Sequence, residues 1–114
     1  MRTLFLLPLM LLASTAPAAA DWAVALGQSG NPIVVRYRGE DEARRDALST
    51  CKTLAQGCKV AASGGDGCVA LATTGERWGV GKGGSKKRAG QIALQQCAAL
   101  NVGPCKVVHD FCGQ

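Results

Sequence analysis

Two ten-residue stretches of this chain, EARRDALSTC ending at Cys51 and RAGQIALQQC ending at Cys97, carry Ala, Ala, Leu and Cys at matched positions 46 residues apart. The same spacing sets WAVALG, from Trp22, beside CVALAT, from Cys68, and nearly the same spacing sets GCKVAA beside PCKVVH. A chain of two similar halves is expected to use one supersecondary unit twice, because a single small unit cannot bury its own apolar face. The halves fall at about residues 21–66 and 67–114, together one small domain.

In the first half, residues 23–26 and 33–38 are short apolar segments separated by the turn cluster QSGNP, which predicts a hairpin. From Glu40 onward, Ala43, Ala47, Cys51 and Leu54 or Ala55 recur at three- and four-residue steps. That spacing predicts a helix with one small-residue face, stopped at Gly57 and followed by a strand over 58–62. The second half repeats the order with strands at 69–72 and 77–81, a helix over 85–100 and a last strand at 105–110. The expected fold class is α+β: two strand-strand-helix-strand repeats forming one mainly antiparallel sheet, with both helices packed on one face.

Residues 1–20 have the form of a signal peptide, with Arg2 at the start, an apolar run from Leu4 to Leu12, and Ala18 and Ala20 placed for cleavage. The apolar run is too short to span a bilayer. An exported chain beginning near Asp21 would meet an oxidising compartment, periplasmic or extracellular, with all six of its cysteines. Six cysteines allow 15 connectivities. Equivalent positions should pair alike, Cys51 with Cys58 and Cys97 with Cys105, leaving Cys68 and Cys112 to link the halves. Zinc is not expected, since there is no C-x-x-C pair and His109 is the only histidine. A chain with few aromatics and many Ala and Gly needs this covalent support.

The stretch WGVGKGGSKKRAG raises the question of a nucleotide, because Gly79, Gly81 and Gly84 spell G-x-G-x-x-G. Against it, the matching stretch of the first half, IVVRYRGEDEA, has no glycine fingerprint, and no parallel βαβ unit is expected. No cofactor is therefore assigned. The charges here are more informative. A helix start favours acidic residues. Glu40, Asp41 and Glu42 obey this at the first helix, whereas Lys86, Lys87 and Arg88, with Lys82 just before, invert it at the second. The expectation is a basic corner that contacts an acidic partner: a protein patch, an anionic glycan or a lipid headgroup. A solvated charge run is the plainer alternative. Arg36, Tyr37 and Arg38 form a second candidate, with cations beside an aromatic on an edge strand. The net charge of +4 left after removing Arg2 does not by itself indicate nucleic acid.

No catalytic residues are assigned. His109 and Asp110 are adjacent on a strand and so point to opposite faces. Asp66 suits a turn, and Ser85 suits an N-cap. Trp22 and Trp78 are expected in packing, or as binding anchors if exposed.

The W-A-x-A opening at Trp22, the GC-x-A-x-A strand from Gly67, the R-W-G-x-G segment from Arg77, the A-x-x-x-A-L-x-x-C helices and the C-K-V-V close from Cys105 resemble the secreted bacterial "domain of unknown function 4189". The resemblance covers essentially the whole exported part. It implies an exported, disulfide-bonded module without established chemistry, with periplasmic immunity against antibacterial effectors among the roles attached to such proteins. In that family the second helix commonly starts with Ser followed by acidic residues; here Ser85 is followed by Lys86, Lys87 and Arg88. The expected function is a small exported, non-catalytic binding protein with an immunity or inhibitor role. An envelope hydrolase, a glycan-acting enzyme or a structural envelope protein are the alternatives.

Overall fold

The computed structural model describes residues 21–113; the expected signal peptide lies outside them. The elements run β1 (Asp21–Leu26), β2 (Ile33–Arg38), α1 (Glu40–Leu54), β3 (Lys59–Gly64), β4 (Cys68–Thr73), β5 (Trp78–Gly83), α2 (Lys86–Ala98) and β6 (Lys106–Cys112). All four ladders are antiparallel, as the hairpins β1–β2 and β4–β5 require of theirs. They form two three-stranded sheets, ordered β2-β1-β3 and β5-β4-β6, and not the single sheet expected.

Burial explains the difference. A sheet covered by helices on one face only would leave the other face wet, yet the four central residues of β1 and the first five of β4 are all buried. On β1, Ala23 and Ala25 meet Ala43, Ala47 and Cys51 of α1. Trp22 and Val24 point the other way, into a core shared with Val69, Leu71 and Phe111 of the second sheet. Ala70 and Ala72 of β4 in turn meet Ala89, Ala93 and Cys97 of α2. The sheets therefore pack face to face through the larger side chains, and each helix covers an outer face through small ones. Four layers result, α1, first sheet, second sheet, α2, with the helices on opposite sides of the molecule.

The registers also correct the 46-residue match. Ala25 pairs with Ile33 and Val60 where Ala72 pairs with Gly79 and Val107, so β1 matches β4 at a spacing of 47. Trp22 thus corresponds to Val69 and not to Cys68. A one-residue slip exchanges the faces of a strand, and an Ala-rich segment such as AVAL conceals it.

Three disulfides join the expected pairs, Cys51–Cys58, Cys97–Cys105 and Cys68–Cys112. The first two tie each helix to the chain just before the following strand. Cys68 and Cys112, however, face each other across β4 and β6 of the second sheet, so this bridge closes one half and does not link the two. The corresponding place in the first half holds Asp21 and Gly65, just beyond the Trp22 and Gly64 pair that ends the ladder of β1 with β3.

Candidate functional site

Both helices start at the same end of the sandwich, and the two basic clusters expected from sequence converge there around an aromatic pair. Trp22 and Phe111 meet edge to face with ring centroids 5.8 Å apart, one from each sheet. Arg36, on β2 of the first sheet, reaches across to Phe111, its guanidinium 4.2 Å from the ring centroid. Lys82, on β5 of the second sheet, reaches the opposite way, donating to the Ser63 carbonyl at 2.6 Å and lying 5.7 Å from the Trp22 ring. Trp22 pairs with Arg36 as Val69 pairs with Lys82, so these cations occupy corresponding positions and cross the inter-sheet layer in opposite senses. The buried Trp22 Nε1 finds no acceptor among the described residues.

The two helix starts differ in how their charges are used. At α1, Arg44 bridges Glu40 at 4.0 Å and Asp41 at 2.7 Å, while Arg38 bridges Glu42 at 3.5 Å and Asp46 at 3.7 Å. Glu40 also accepts a hydrogen bond from Ser63 Oγ at 2.7 Å. The acidic cluster is internally matched. At α2, the Ser85 hydroxyl accepts from the Arg88 N–H at 3.1 Å, so the N-cap expected from sequence is present. Lys86 bridges Asp110 of β6 at 3.7 Å, so it is a partnered cation and not part of a free patch. Lys87 and Arg88 are exposed and have no acidic partner within bridging distance among the described residues. Of the cations expected at this end, Lys87 and Arg88 are therefore free, Lys82 is held by the Ser63 carbonyl without an acidic partner among the described residues, Arg36 lies on the aromatic pair, and Arg38 is withdrawn into the α1 network.

Tyr37 is the unpaired residue of a β-bulge, since Asp21 faces Arg38 while the next residue, Trp22, faces Arg36. Its φ is +66°, in the left-handed region, and its side chain is 66% exposed. For a bulky L-residue this conformation costs about 1–2 kcal/mol.

The glycine stretch has a structural explanation. A Cβ on Gly79 would lie 2.5 Å from the Ala93 carbonyl oxygen, and one on Gly81 would overlap the backbone of Ala89 and Ala93. These glycines let the α2 backbone rest directly on β5. Ile33 and Val35 hold the same places under α1.

His109 and Asp110 diverge as expected of strand neighbours: the His109 ring lies 5.5 Å from Phe111, whereas Asp110 serves Lys86. Among the described residues no cluster of His, Cys, Asp and Glu is placed to hold a metal ion, and no helix is long and apolar enough to cross a membrane. At the far end, a hollow of about 480 Å³ is lined by Leu26, Lys59, Arg77, Trp78 and Leu100 among others. Trp78, half-buried there, was its one sequence signal; Leu100 and Lys59 come from remote segments and gave none. The contacts of Phe111, Ser63 and Asp110 left no sequence signal either, because each acts on a residue of a different element.

A family model described as "Domain of unknown function (DUF4189)" matches residues 22–112. No curated protein and no solved structure matches the chain.

Proposed function

The chain belongs to the DUF4189 family, and from that premise we propose that it is a small exported, non-catalytic protein that binds an acidic patch on another protein. The observation that carries this reading is the contrast at the helix starts: the acids of α1 are matched internally, whereas Lys87 and Arg88 of α2 are left for solvent or a partner. Cations at that position oppose the helix dipole, so local stability does not account for them. Three disulfides are consistent with an oxidising compartment. A periplasmic immunity or inhibitor role is the sharpest form of the proposal.

The test is Lys87→Glu combined with Arg88→Glu, with poly-L-glutamate as the acidic probe. Affinity at low salt should fall at least about tenfold and lose much of its salt dependence. The melting temperature should hold or rise, since acids suit a helix start. Unchanged affinity would end the reading.

A further inference from the structure

Resting on that reading, we infer that Arg36 and Tyr37 are the anchor of the binding end, and that the group they take is a carboxylate on a protein loop. Arg36 has Phe111 at 4.2 Å and Tyr37 at 4.8 Å from its guanidinium, so aromatic rings cover it. No acidic side chain bridges it among the described residues, in contrast to Arg38 two residues on, which holds Glu42 and Asp46. A guanidinium held against rings keeps its in-plane N–H groups for an acceptor, and that planar fork matches a carboxylate with two parallel hydrogen bonds.

Tyr37 supplies the independent argument. The bulge favours Gly or Asn at a left-handed position, whereas the second half passes the corresponding place without a bulge, Gly83 pairing with Cys68. Tyrosine there is strained and two-thirds exposed, and its ring lies against Arg36. Strain held at an exposed aromatic beside an unbridged arginine matches the residue types and setting of a binding anchor. The commitment to a carboxylate over a phosphate follows from the neighbours. Arg36 is a single unbridged cation, the other arginine of the run being held by Glu42 and Asp46, so it offers one positive charge to match a monoanion and not a dianion.

The experiment measures poly-L-glutamate and polyphosphate binding by the oxidised protein, by Tyr37→Asn and by Arg36→Lys. Asparagine tolerates the left-handed backbone, so Tyr37→Asn should melt at the same or a higher temperature while binding polyglutamate about tenfold more weakly. Arg36→Lys keeps the charge and loses the fork, and should also weaken binding about tenfold. If both variants bind polyglutamate as the wild type does while Lys87→Glu with Arg88→Glu abolishes binding, the anchor is overturned and the basic corner stands. If the wild type does not bind polyglutamate at all, both fall. Polyphosphate bound more tightly, in an Arg36-dependent way, would overturn the carboxylate assignment.

Discussion

The two halves of the molecule carry the same elements in the same order, yet they seat their helices differently. Under α1 the strand presents Ile33 and Val35, and the small face of the helix rests on those side chains. Under α2 the same places are Gly79 and Gly81, and the helix backbone occupies the space a side chain would need. The second half is also closed across its sheet by Cys68–Cys112, where the first half has Asp21 and Gly65. The helix starts differ too: each acid of α1 is bridged by Arg38 or Arg44, whereas Lys87 and Arg88 of α2 have no acidic partner among the described residues. A topology used twice thus separates into a loosely spaced half and a tightly seated half that a disulfide closes across its sheet.

The largest expected effect breaks the cross-link. Cys68→Ala with Cys112→Ala opens a loop whose cysteines are 44 residues apart, and should lower stability by about 4 kcal/mol in the loop-entropy model. Denaturant unfolding of the oxidised variant measures this. A loss no larger than that from removing Cys51–Cys58, whose cysteines are only 7 residues apart, would contradict the role given to the bridge.

Next comes the seating of the helices. Gly81→Val forces a side chain into the α2 backbone and should cost about 3 kcal/mol or more, whereas Val35→Gly removes a half-buried side chain and should cost about 1–2 kcal/mol. Thermal unfolding of the pair tests the contrast, and equal costs would show that the helices sit alike. The smallest effect concerns the caps. Ser85→Ala should cost about 1 kcal/mol, while Gly39→Ser at the uncapped start of α1 should gain a few tenths. Shifts in melting temperature of about 4–8 °C per kcal/mol make the first readily visible.

Much of the local structure was legible before any coordinates. Ile33–Arg38 was expected as a strand with those bounds, the helices follow the steps of Ala43, Ala47 and Cys51 and of Ala89, Ala93 and Cys97, and Ser85 caps as its residue type suggests. What escaped was two-sided burial. In WAVAL the bulky residues alternate with alanine and not with polar residues, the mark of a strand covered on both faces, small against a helix and large against a second sheet. The candidate site was half legible. Lys82, Lys86, Lys87, Arg88 and the Arg36–Arg38 run could be listed from charge, but nothing near Lys86 in sequence announces Asp110, and nothing near Arg36 announces Phe111.

The order of the elements, the inward face of each helix and the cysteine partners were determined by the sequence alone, since each depends on short-range periodicity or on matched spacing between the halves. That the strands divide into two sheets packed face to face, that Lys86 is bridged to Asp110 while Lys87 and Arg88 are not, and that Arg36 lies on Phe111 without an acidic partner among the described residues, only the tertiary structure decided. Those outcomes depend on which side chains meet across the inter-sheet layer, between residues far apart along the chain, where no local pattern records the encounter.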